Sequence, residues 1–218
     1  MAFTAICISS HDGTGAHGAA RLVASTLDYR LIDEDIITRA AVEAGVDEEV
    51  VADVERRKSR LVRLIEGLGP AGMAAGYAVP LGDAVGYGQP ASDELRGLIR
   101  SVIEETAASG GVVIVSHAAS MALAHRDDVL RVLVTASVPT RERRVASSNG
   151  IDEKEAARAI KRSDAGRADY LQRFYGVDAE MPTHYDVVLN TDRLSPEHVA
   201  ELVIRAAGVS PAAQGTAA

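Results

Sequence analysis

An apolar run, Phe3-Thr4-Ala5-Ile6-Cys7-Ile8-Ser9, leads into a turn, Ser10-His11-Asp12-Gly13-Thr14-Gly15-Ala16-His17-Gly18, and the turn into a helical stretch over residues 19–27. A buried strand that ends in a glycine turn and restarts as a helix aims several backbone N–H groups, and the positive end of the helix dipole, at one point. Such a point suits a phosphate. The strict phosphate-loop pattern is Gly, four residues, then Gly-Lys-Ser/Thr. Its key positions fall here on Ser10, Gly15, Ala16 and His17. The glycine turn is present, while the lysine and the magnesium-binding hydroxyl are not.

Four further segments read as strands: residues 29–32, 112–115, 130–135 and 186–189. The runs at 112–115 and 130–135 are rich in Val, Ile and Leu, as expected of strands covered on both faces. Helical patterns separate them, over residues 33–44, 47–68, 92–109, 152–174 and 195–207. Acids open the first of these and Gly45 closes it; Ser195-Pro196 supplies a cap and a first-position proline for the last. Strands alternating with helices predict an α/β fold, a five-stranded, mainly parallel sheet with helices on both faces. A ligand then sits beyond the carboxyl ends of the strands. We expect one domain over residues 1–208 and a disordered tail at 209–218, which is Ala-, Gly- and Pro-rich. Residues 69–91, with many Gly, Pro and Ala, exceed an ordinary connection and read as a mobile loop over the site or a contact in a homodimer.

Composition narrows the classes. With 47% hydrophobic residues, no Trp and two Phe, the core has to come from Ala, Val, Leu and Ile. A net charge of −8 argues against a nucleic-acid-binding surface. The single cysteine, Cys7, excludes an internal disulfide and reads as a small buried hydrophobe. No apolar run approaches the roughly 20 residues that span a bilayer, and the first ten residues lack the features of a signal peptide. The expectation is a cytoplasmic protein with no membrane partner.

Several charged residues are placed for chemistry. Asp33 follows the second strand and Arg39 lies six residues on; they meet a ligand if Arg39 points back toward the sheet, and are otherwise a dipole-favoured acid and a solvated arginine. Arg141, Arg143 and Arg144 leave the fourth strand in a segment too short for all three to share one helix face. Farther on come Arg158, Lys161, Arg162 and Arg167, with Asp164 forming an i,i+3 pair with Arg167. Phosphoryl transfer needs such charge around the moving group, although a solvated helix carries it too. His11 and His17 flank the glycine turn and either can donate to phosphate. His117 ends the third strand. No His/Cys/carboxylate set has metal-ligand spacing, so no protein-held metal is expected.

Taken in order, these segments resemble the cytidylate kinase-like family of P-loop nucleoside monophosphate kinases, with a degenerate phosphate-binding loop. The likeness runs from Phe3 to about Ala207. It is carried by Ile-Ser-x-x-x-Gly-Thr-Gly, Tyr-x-Leu-Ile-Asp, Gly-Gly-Val-Val-Ile-Val-Ser-His, Leu-Arg-Val-Leu-Val-Thr-Ala-Ser-x-x-x-Arg-x-Arg-Arg, Lys-Arg-Ser-Asp-Ala-Gly-Arg-Ala-Asp-Tyr and the closing Tyr-Asp-Val-Val-Leu-Asn-Thr-Asp. The resemblance implies transfer of the ATP γ-phosphate to a nucleoside monophosphate such as CMP or dCMP, with ATP and magnesium as cofactors. It implies that Gly13, Thr14, Gly15, Ala16 and His17 hold the ATP phosphates. It places Asp33, Arg39, His117 and Asp164 toward the acceptor, and Arg141, Arg144, Arg162 and Arg167 as catalytic cations. Residues 33–91 become an acceptor-side helical region and loop, and 141–180 a lid-like basic region. The chain also departs from the family: Ser10 replaces an arginine before the turn, Ala16 a glycine after it, Ser116-His117 a Gly-Arg pair, and Ala118 an acid. Those losses leave a second implication open, a catalytically impaired nucleotide-binding pseudokinase with a regulatory role.

Overall fold

The computed structural model describes residues 3–33, 92–115 and 118–209. The expected helices at 33–44 and 47–68, the loop at 69–91, Arg39, His117 and the tail lie outside the described residues. Strands β1 (Ala5–Ser10), β2 (Arg30–Ile32), β3 (Val112–Ile114), β4 (Val129–Thr135) and β5 (Val187–Asn190) form one sheet in the order β2-β3-β1-β4-β5, and every pairing is parallel. Helices α1 (Ala16–Leu27), α2 (Ser92–Ala108), α3 (Ala119–Ala122), α4 (Val138–Asn149), α5 (Glu153–Tyr175) and α6 (Pro196–Ala207) connect or follow the strands.

The period of two along β1 divides the core. Ala5 and Cys7 turn to one face and pack with Ile99, Val102 and Ile103 of α2 and with the α3 segment. Ile6 and Ile8 turn to the other and pack with α1 and α6. Alternate residues buried on opposite faces give the fully apolar strand that the sequence displays. On α1 the buried positions are Ala16, Ala19, Ala20, Val23, Ala24 and Leu27, spacings of three and four that make one stripe. That stripe, mostly alanine, packs against the sheet. Burial pushes the Cys7 thiol up to about 12, so it stays protonated and inert, in keeping with a core role.

Local signals set the helix ends. Asp152 caps α5 by accepting from the Glu155 amide at 2.7 Å, and Ser195 caps α6 ahead of Pro196. All five strands run the same way, so their carboxyl ends share one edge. The Ser10–Gly15 turn, Asp33 and Thr191 follow β1, β2 and β5 there, and Ser137 follows β4. Among the described residues no helix is long and apolar enough to cross a membrane.

Candidate functional site

The turn between β1 and α1 is shaped by two left-handed glycines, Gly13 (φ +79°) and Gly15 (φ +80°). Gly13 lies so tightly against the start of α4 that a Cβ there would stand 2.7 Å from the Arg141 carbonyl oxygen. Gly15 has open space around the same position. Thr14 is buried and its hydroxyl donates to the His11 carbonyl at 2.8 Å. The amides of Gly13, Gly15, Ala16 and His17 meet no acceptor among the described residues. The turn borders a cavity of about 430 Å³, closed on its far side by α4 and α5 through Arg144, Ser148 and Ile160. Unpaired amides at a helix start, open to a cavity, make an anion site.

The carbonyls of the turn are held by side chains from α4 and by Thr191. Arg141, only 4% exposed, donates Nε to the Asp12 carbonyl at 2.7 Å and its terminal nitrogens to the Asp164 carboxylate at 3.0 and 2.6 Å. Arg144 donates to the Gly13 and Thr14 carbonyls at 3.3 and 3.2 Å, and to the Thr191 hydroxyl and carbonyl at 2.9 and 2.6 Å. Thr191 in turn donates to the Thr14 carbonyl at 2.8 Å. Both arginines grip the back of the turn. In this conformation their terminal nitrogens are engaged with protein acceptors.

The i,i+3 pair expected between Asp164 and Arg167 does not form, because each side chain has a nearer partner. Asp164 receives Arg141, while Arg167 binds Glu180 through two hydrogen bonds of 2.9 and 2.6 Å. Tyr185 also donates to Glu180, and His11 Nε2 stands 3.6 Å from the same carboxylate. His11, Asp164, Arg167 and Glu180 border a second cavity of about 180 Å³. Arg162 is exposed, as are Arg158 and Lys161, and none of them borders either cavity. His17 borders the larger one, its Nδ1 3.3 Å from Asp33 Oδ2.

Sequence reasoning gives no site role to Glu180, Tyr185 or Thr191, although the last two stand in the closing motif. Thr191 had one available signal, its place just past the carboxyl end of a strand. Glu180 had none, since it lies outside every regular element.

Burial and the Arg167 charge lower the His11 pKa against the opposing pull of Glu180. Burial raises the Glu180 carboxyl, but the Arg167 bonds and charge, with Tyr185 and His11, outweigh it and hold the group below its ordinary value. Both groups therefore take up protons more readily in the unfolded chain, and both contributions are lost as pH falls, in separate windows. The His11 contribution is complete above about 6.5 and is lost below it; that of Glu180 is lost below about 4.5. Urea unfolding across pH should show His11→Asn flattening the upper window and leaving the lower slope in place. An unchanged upper slope would contradict the assignment.

A parallel sheet in this order, with a glycine turn after β1 that borders a cavity, defines the P-loop kinase fold. Solved structures agree: an uncharacterized protein from Eubacterium ventriosum superposes with a TM-score of 0.65 over 95% of this chain and 99% of its own, at 16% identity. Shikimate kinase from Bacteroides thetaiotaomicron superposes at 0.50 over 94% and 98%, at 18% identity. At these identities the likeness is one of fold. More specifically, the chain belongs to the cytidylate kinase-like family, whose model matches residues 5–193. Curated relatives include cytidylate kinases from Sulfolobus acidocaldarius, 36% identical over 43% of this chain and 50% of that one, and from Ignicoccus hospitalis, 34% identical over 49% and 60%. The chain thus spans between half and three-fifths of these relatives' length.

Proposed function

We propose that the protein is a nucleoside monophosphate kinase that moves the γ-phosphate of ATP to a pyrimidine monophosphate, CMP or dCMP foremost. The observation that carries this reading is the set of four loop amides, without an acceptor among the described residues, in the turn that borders the 430 Å³ cavity at the start of α1. The family and the cytidylate kinase relatives supply the acceptor class.

In this reading Gly13, Thr14, Gly15, Ala16 and His17 receive the ATP phosphates, with the loop amides donating to oxygens that gain charge in the transition state. An oxygen of the acceptor phosphate forms a bond to the γ-phosphorus. The bond from that phosphorus to the β–γ bridging oxygen breaks, and ADP leaves with the electron pair. Positioning and charge neutralisation do the catalysis, so no protein nucleophile is needed. Asp33 and Asp164 serve the acceptor in this reading, the role the family likeness also implies for Arg39 and His117, and Arg167 adds positive charge from α5. Arg141 and Arg144 act by holding the loop's carbonyls.

The donor set does not fit a magnesium ion held by the loop. Ala16 and His17 occupy the positions of the lysine and the metal-binding hydroxyl, and no group of three His, Cys, Asp or Glu among the described residues could hold an ion. Any magnesium would arrive with the nucleotide.

The test is incubation of the purified protein with ATP, magnesium and a panel of CMP, dCMP, UMP and AMP, with nucleotides separated and quantified. We expect ADP and a pyrimidine diphosphate in equal amounts, and neither from a Gly13→Ala preparation. ATP binding without any diphosphate product would overturn phosphotransfer and leave a nucleotide-binding protein.

A further inference from the structure

The cavity at the loop must neutralise a polyphosphate without a lysine, and the structure narrows what can do so. Four ionisable side chains border it among the described residues: His11, Asp12, His17 and Arg144. Asp12 has the wrong sign. Arg144 already donates to the Gly13, Thr14 and Thr191 acceptors. His11 is partly buried beside Arg167, which disfavours a second positive charge there. Arg21, one turn along α1 from His17, is exposed and does not border the cavity.

That leaves His17. It stands in the first turn of α1, at the place where a phosphate loop carries its metal-binding hydroxyl. Its own amide is one of the four that meet no acceptor among the described residues. It is 59% exposed, and Asp33 Oδ2 lies 3.3 Å from Nδ1. A proton on each ring nitrogen gives the imidazole one donor beside the Asp33 carboxylate and one for a phosphate oxygen. Only in that doubly protonated form does it bring a positive charge to the loop.

We propose that His17, positioned by Asp33, is a phosphate-binding cation of this site and takes over the charge-neutralising role of the loop's missing lysine. The inference rests on the reading that the cavity receives a nucleotide polyphosphate. It gives Asp33, at the end of β2, a second task on the donor side.

Isothermal titration with ATP in the absence of magnesium tests it, comparing wild type with His17→Gln and His17→Lys. A charge-assisted hydrogen bond is worth enough that His17→Gln should weaken ATP binding about tenfold or more. Lysine restores the charge and should return affinity to within about threefold of wild type. The exposed position predicts the same melting temperature for the three free proteins. ATP binding by wild type that His17→Gln leaves intact would overturn the role of His17 alone. A loss that His17→Lys does not restore would overturn its role as a cation. If wild type binds no ATP, the nucleotide reading falls as well, and with it this proposal.

Discussion

Replacing Gly13 with alanine is expected to destabilise the fold by about 3 kcal/mol and to abolish ATP binding. Two costs add. A left-handed conformation, here φ +79°, costs a residue with a Cβ roughly 1–2 kcal/mol. The new methyl would also lie 2.7 Å from the Arg141 carbonyl oxygen and 2.9 Å from its Cα. Those are backbone atoms at the start of a helix, so they cannot rotate away, and overpacking of this kind costs about 1–3 kcal/mol. Relief by moving the turn would carry the amides out of line with the cavity. Gly15 is the internal control. Its φ is +80°, but nothing lies within 4 Å of the place a Cβ would take, so Gly15→Ala should cost only about 1–2 kcal/mol. Urea unfolding of both variants decides it; equal destabilisation would show that the contact with Arg141 is not tight.

Arg141→Ala should be nearly as damaging, at about 2–4 kcal/mol. The guanidinium is 4% exposed and satisfies both the Asp12 carbonyl and the Asp164 carboxylate. Removing it leaves a carboxylate and a carbonyl without their partner. Because the Asp164 side chain is 35% exposed, water takes over part of its solvation and keeps the cost below that of a fully buried pair. Asp164→Asn removes only the charge and should cost less. The double variant should therefore be less destabilised than the sum of the two, with a coupling of about 1–2 kcal/mol by denaturation. Strict additivity would mean that the pair does not hold α4 to α5. ATP affinity should fall in Arg141→Ala as well, since the loop loses one of the two side chains that grip its carbonyls.

The roles of Arg141 and Arg144 show where the sequence stops informing. A cluster of arginines after β4 announces positive charge near a phosphate loop, but not which atoms receive it. The Asp12 carbonyl lies 129 residues away from Arg141 in the chain, and only the parallel pairing of β1 with β4 brings the two together. The pairing of Arg167 with Glu180 was hidden for a different reason: helical spacing offers Asp164 as its neighbour and says nothing of the irregular segment beyond α5. By contrast, β1, β3 and β4 were legible because burial on both faces favours continuous apolar residues. The start of α6 was legible because Ser195-Pro196 is a local signal. The α3 turn was not, since four residues, Ala119–Ala122, are too few to show a period. Within the loop, Gly13 and Gly15 look alike in sequence; only the backbone of α4 makes one of them tight.

The central claim is that the amides from Gly13 to His17 bind the phosphates of a nucleotide. Amide chemical shifts of isotopically labelled protein titrated with ATP test it most directly. The account predicts the largest shifts at Gly13, Gly15, Ala16 and His17, saturating with the same affinity that calorimetry gives. Saturable ATP binding that leaves those four amides unmoved would place the nucleotide elsewhere and contradict it.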